Sequence, residues 1–208
     1  MEYEVRFYFS KSEKENIINK LNNIKDLKCS GTFYEKTTQY NSSDSNNDFY
    51  SKSIDGRYRV RITKGENETK CMLSWKRRLN DTKSGNVNKE EEIKCRIDPR
   101  DYDNFIYLTE NVVKMIRVES YERYRTNYDN DEIEVSVDLY PFGLALEIEA
   151  KCDKNQEEIV EKYVKKLGLD LKDSYRLSWD DKYSELCESQ DIKKYSDVLF
   201  ENKDMPSM

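Results

Sequence analysis

The chain has 208 residues, 36% of them hydrophobic and 38% charged, with a net charge of −6 and no histidine. The length suits one domain, and the acidic balance argues against a general nucleic-acid or anionic-membrane surface, so any polyanion must be held by locally concentrated Arg and Lys. The absence of histidine removes Ser-His-Asp and Cys-His nucleophile systems, imidazole acid/base catalysis and every His-containing metal site. Five widely spaced cysteines without a C-x-x-C pair read as reduced, partly buried thiols of a cytoplasmic protein. No leader peptide or apolar run of membrane-spanning length is expected.

Residues 2–7 alternate Glu2, Glu4 and Arg6 with Tyr3, Val5 and Phe7, a strand with one ionic and one apolar face. Ser10 and Ser12 with Glu13 and Glu15 offer two overlapping capping boxes, before a helix burying Ile17, Ile18, Leu21 and Ile24. Residues 29–40 are Thr- and Tyr-rich and read as a strand, 41–48 as a polar loop and 49–53 as the return of a hairpin. Arg57, Arg59 and Arg61 alternate with Tyr58, Val60 and Ile62; Ser74, Lys76 and Arg78 flank Trp75. After a loop over 80–88, Glu90, Glu92, Lys94 and Arg96 alternate with Ile93, Cys95 and Ile97.

Asp98-Pro99 predicts a helix start, with Tyr102, Phe105 and Ile106 inward and an end near Asn111. Two or three strands fill 112–150: Arg123 and Arg125; Glu134, Ser136 and Asp138 against Ile133, Val135 and Val137; Glu147 and Glu149 against Leu146 and Ile148. Asp153 with Gln156 is expected to cap a helix burying Ile159, Val160, Tyr163, Val164 and Leu167 before Gly168. The aromatic stretch 173–187 is expected to pack on a barrel or one of its mouths, and 188–208 to be a frayed, flexible tail.

A strand face rich in Glu and Lys is ordinarily a solvated surface. Here seven segments place charge on the parity the apolar residues avoid, which favours a barrel with the ionic faces inward. Clustered carboxylates then call for a hard cation with oxygen ligands, Mg²⁺ or Mn²⁺, and several Arg and Lys for phosphate oxygens.

These residues resemble the CYTH, or triphosphate tunnel metalloenzyme, superfamily. Glu2-Tyr3-Glu4-Val5-Arg6 looks like its E-x-E-x-K, Tyr58-Arg59-Val60-Arg61 its L-R-I-R, and Ser74-Trp75-Lys76 its T-L-K. Glu90 and Glu92 resemble its acidic pair, Arg123-Tyr124-Arg125 its K-x-R, and Phe142 to Glu149 its L-G-x-F-x-E-I-E. Lys182-Tyr183-Ser184-Glu185-Leu186 is similar to its S-Y-x-x-L-L. The resemblance spans about residues 2–187. It implies an α+β fold, an eight-stranded antiparallel β-barrel with helices packed outside, as one domain over 1–187.

The resemblance further implies a divalent-metal-dependent triphosphatase acting on inorganic, nucleoside or other organic triphosphates. Its alternatives are a class IV-type adenylyl cyclase, an RNA 5′-triphosphatase or a non-catalytic nucleotide- or polyphosphate-binding module. Carried over by position, Glu2, Glu4, Arg6, Lys76 and Glu147 are the catalytic set. Arg57, Arg59, Arg61, Lys76, Arg123 and Arg125 bind the triphosphate, and Glu2, Glu4, Asp138, Glu147 and Glu149 hold metal. Arg6 departs from the family Lys, and an Arg does not readily give up a proton.

Overall fold

The computed structural model describes residues 2–78, 88–152 and 154–208, without the side chains of 2, 78 and 88–90. Residues 80–87 of the expected 80–88 loop and the Asp153 cap lie outside the described residues, as do the side chains of Glu2, Arg78 and Glu90, whereas Asn88 already begins a strand.

Eight strands form a ring: β1 (Glu2–Phe9), β2 (Lys28–Asn41), β3 (Gly56–Lys64), β4 (Thr69–Arg78), β5 (Asn88–Ile97), β6 (Ile116–Asp129), β7 (Ile133–Tyr140) and β8 (Gly143–Ala150). Their order is β2-β3-β4-β5-β1-β8-β7-β6, and a long antiparallel β2–β6 ladder joins the two ends. Every other neighbouring pair in the ring is also antiparallel. A closed ladder satisfies the backbone donors and acceptors that an open sheet leaves at its edges. The β1–β5 seam is the narrowest, with three register pairs from Glu2↔Glu90 to Glu4↔Asn88.

The period-two pattern decides which face turns inward. Val5 and Phe7 of β1, Ile133, Val135 and Val137 of β7, and Leu144, Leu146 and Ile148 of β8 point outward into a buried cluster. Ile17 and Leu21 of α1 (Lys14–Asn22) and Val160, Tyr163, Val164 and Leu167 at α3 (Gln156–Lys166) cover them. Gly168, at φ +72°, ends α3 in the left-handed region that favours glycine. On the other side, α2 (Tyr102–Tyr107) lays Tyr102, Phe105 and Ile106 on Tyr40, Val60 and Cys71. Asp98 caps the preceding turn by accepting from the Arg100 N–H, as its place before Pro99 predicts.

Three local expectations are corrected. Ser10 caps a short 3-10 turn rather than a capping box, and α1 follows it without a side-chain cap. Residues 49–53 are turns, because Asn41 and Asp48 fold the loop back on itself by side-chain bonds to the Phe49 and Tyr50 N–H groups.

The expected frayed tail packs. It leaves α4 (Trp179–Ser189), which carries a Ser178–Asp181 capping box, and forms β9 (Asp197–Val198), parallel to β6 at Ser120 and Tyr121. Val198 is buried, and Met205 and Met208 join an aromatic cluster with Tyr121, Tyr140, Phe142, Trp179 and Tyr183. A Cβ on Gly143 would sit 1.9 Å from Met208, so the missing side chain makes room for the chain end. Unlike the other helices, α4 meets residues of the inward parity (Tyr8, Tyr121, Tyr140, Ala145) and so closes one end of the barrel.

Candidate functional site

The barrel encloses a cavity of about 300 Å³. Glu4 and Arg6 of β1, Arg57, Arg59 and Arg61 of β3, Lys76 of β4, Arg123 and Arg125 of β6, and Glu147 and Glu149 of β8 all line it. The predicted parity therefore brings these side chains together, on the inside. In the eight-strand ring β3 and β8 are four places apart, so the arginine wall of β3 stands across the barrel from the carboxylates of β8.

A continuous ribbon of ion pairs runs along the other strands. Arg6 donates to Glu147 at 2.8 Å and to Glu4 at 3.1 Å. Glu147 also accepts from Arg125, which grips Asp138 at 2.6 and 2.5 Å. Arg123 donates to Asp138 at 2.8 Å, to the Tyr140 hydroxyl at 3.1 Å and to Glu35 at 2.7 Å. Glu35 lies 3.7 Å from Arg61, whose Nε donates to Thr37 at 3.1 Å. Burial works against the charge on Glu147, but Arg6, Arg125 and Arg123 hold its carboxyl well below the usual range. Burial likewise opposes the charge on Arg6, and Glu147 and Glu4 keep it protonated.

The β3 arginines are held more loosely. Arg59 donates to Ser74 and to Glu92 at 2.9 Å. Arg57 reaches Asp55 at 3.2 Å and lies 5.0 Å from the centre of the Tyr50 ring. Burial raises the Tyr121 phenol, but Arg61, Arg123 and Arg59 together pull it below its ordinary value.

Two of the expected site residues are already held by the protein's own groups. Asp138 is fully buried, outside the cavity lining, with its oxygens held by the guanidiniums of Arg123 and Arg125. Arg123 lines the cavity but is 3% exposed, its guanidinium shared among Glu35, Asp138 and Tyr140.

Among the described residues no three Cys or carboxylate side chains are close enough to hold a metal ion. Carboxylate oxygens, the donors a hard cation takes, do stand on neighbouring strands of the cavity wall. Glu4 is in register with Glu149, Glu149 with Glu134, and all three line the cavity. Glu147, gripped by Arg6 and Arg125, is the weaker candidate.

Sequence reasoning missed Glu35, Gln39, Tyr121, Trp179 and Asp180. The last four line the cavity. Glu35 does share the inward parity of Thr37 and Gln39, the signal that could have found it.

Neither family models nor the curated proteins give a match. Solved structures do. The PH1819 protein of Pyrococcus horikoshii superposes with a TM-score of 0.66 at 20% identity, over 89% of this chain and 99% of that one. The chain and that structure share one fold. A candidate adenylate cyclase of Vibrio parahaemolyticus matches with a TM-score of 0.63 at 14% identity, over 88% and 98% of the two chains. A Hippeastrum protein described as a candidate adenylyl cyclase with a dominant triphosphatase activity matches at 0.58 and 17%, over 93% and 98%. At these identities the likeness establishes the fold, and activity must be argued from the site. No described helix is long and apolar enough to cross a membrane.

Proposed function

We propose that this protein is a member of the CYTH superfamily and a divalent-metal-dependent triphosphatase of the cytoplasm, acting on a small triphosphate. The observation that carries this reading is the opposition, across one cavity, of the β3 cations and the β8 carboxylates. A triphosphate is a chain of anionic groups that needs both: guanidinium and ammonium groups along its length, and a metal-loaded carboxylate end.

In this reading Arg57, Arg59, Arg61 and Lys76 bind the phosphate oxygens and offset charge on the leaving group. Glu4 and Glu149, with Glu2, would hold Mg²⁺ or Mn²⁺, which supplies polarisation of a phosphoryl oxygen when bound. Arg6 and Arg125 fix Glu147 in place, and a carboxylate of this end orients the attacking water. Arg6, permanently charged between Glu4 and Glu147, serves as a positioning group and not as a proton carrier.

The test is to incubate the protein with tripolyphosphate, ATP, thiamine triphosphate and a 5′-triphosphate RNA, with each metal, and to resolve the products. Release of orthophosphate supports a triphosphatase. Pyrophosphate with cyclic AMP from ATP would instead support the adenylyl cyclase reading, favoured by the dual description of the Hippeastrum neighbour. Binding without turnover of any substrate would leave a non-catalytic module.

A further inference from the structure

The geometry points to Glu35 as a positioning residue that sets the phosphate grip of Arg61, an inference resting on the triphosphate reading above. Glu35 sits where β2 bridges its two neighbours, in register with Thr63 of β3 and Arg123 of β6. It is 6% exposed and stands outside the cavity lining, behind two guanidiniums that do line it. One oxygen accepts from Nε and Nη2 of Arg123, both at 2.7 Å, with Arg61 Nη1 at 3.7 Å. The other accepts from the Thr63 hydroxyl at 3.1 Å. Burial opposes this charge, and Arg61, Arg123 and Arg125 outweigh it, so the group stays ionised.

The two arginines depend on Glu35 unequally. Arg123 has Asp138 and Tyr140 as further anchors. Arg61 has the Thr37 hydroxyl and no second carboxylate within 4 Å among the described residues. A buried anion between two like-charged guanidiniums therefore cancels their repulsion and keeps Arg61 turned to the cavity in one orientation. A long side chain ordered in advance loses less rotamer freedom when its ligand arrives. Arg61 is thus presented by its neighbours, whereas Lys76 reaches the cavity from a different strand and does not use this anchor.

The test is calorimetric binding of tripolyphosphate in the absence of divalent metal, which reads the cationic grip separately from turnover. Glu35→Gln is expected to weaken binding about three- to tenfold, the cost of ordering one loosened side chain. Arg61→Ala should weaken it further, and Glu35→Gln added to Arg61→Ala should change little, because the effect of Glu35 runs through Arg61. Added to Lys76→Ala, the same substitution should keep its full effect. Should Glu35→Gln not fold, Thr37→Val, which removes the other anchor at nearly constant volume, should weaken binding in the same direction. Wild-type affinity in Glu35→Gln, tighter binding (the result if loss of the anion beside Arg61 outweighs loss of its ordering), or full additivity with Arg61→Ala overturns the proposal while leaving the functional reading intact. Absence of wild-type binding overturns both.

Discussion

The arginines of the cavity divide into two groups that share a parity but not an environment. Arg6, Arg123 and Arg125 each meet two carboxylates, along a ribbon that includes Glu4, Glu147, Asp138 and Glu35. Among the described residues, Arg57, Arg59 and Arg61 each have one carboxylate within 4 Å: Asp55, Glu92 and Glu35. The first group is largely neutralised by the protein's own anions. The second is less so, and in the reading proposed above it is the group with charge to give to a ligand. Facing a cavity does not by itself make a cation a phosphate ligand; the number of anions already holding it matters more.

The comparison breaks most visibly at Asp138. Replacing it by Ala leaves Arg123 and Arg125 buried without a shared anion, and removing one partner of such a network costs about 3–5 kcal/mol. The melting temperature is expected to fall by roughly 6–20 °C for a chain of this size, by calorimetry or circular dichroism. A shift of a degree or two would mean that water reaches the ribbon and screens it.

On the opposite wall, Arg59→Ala and Lys76→Ala should spare the fold and strike at turnover. A lost phosphate contact is expected to lower kcat/KM for tripolyphosphate by about 2–4 kcal/mol in transition-state terms. Steady-state kinetics beside a melting curve tests this directly. Unchanged kcat/KM in both variants would place the triphosphate elsewhere.

Much of this division was invisible in the chain, for a physical reason. Parity was legible: Glu4, Arg59, Lys76 and Glu149 fall inward because their strand neighbours are apolar. Partnership was not. Arg123 and Asp138 are 15 residues apart, and which residue meets which depends on register and barrel stagger, to which a single strand's pattern is blind. Glu35 escaped because the polar Thr37, Thr38 and Gln39 around it blur the two faces of β2. The packing of residues 188–208 escaped because it rests on a few anchors, Val198, Met205 and Met208, scattered in polar sequence. The fold and most of the lining could thus be read early, and the partners of Asp138 and Arg123 only from the contacts.

At the end closed by α4, a third kind of charge tests the same contrast. Glu119 accepts from the Gln39 amide at 2.6 Å, and burial, then Asp180, push its carboxyl up to about 7, opposed by Lys194 and Arg57. Because the folded pKa lies above the ordinary 4.5, the native state favours the protonated form. Its contribution is full below about pH 4.5 and is lost as pH rises through 7, a swing of at most roughly 3 kcal/mol. Glu119→Gln cannot titrate, so urea unfolding should show the variant gaining on wild type between pH 5 and 8. A constant difference across that range would mean Glu119 is solvated at the mouth.

The smallest effect is expected on the outside of the same sheet, and it isolates burial from distance. Arg77 and Glu91 meet at 3.0 Å on the outer face, and Arg59 and Glu92 at 2.9 Å on the inner one, between the same region of strands. The outer side chains are 41% and 45% exposed, the inner 16% and 10%. Water and salt screen the outer pair, and its two long side chains give up rotamer freedom to meet. Glu91→Ala should therefore cost under about 1 kcal/mol, and the cost should vanish in high salt. Arg59 draws on a more enclosed and less screened partner, so Glu92→Ala should cost more and keep most of that cost in the same salt. Urea titrations of both variants at low and high ionic strength give the answer: equal, equally screened losses would show that the inner wall is as wet as the outer, and the distinction between architectural and ligand-facing arginines would lose its basis.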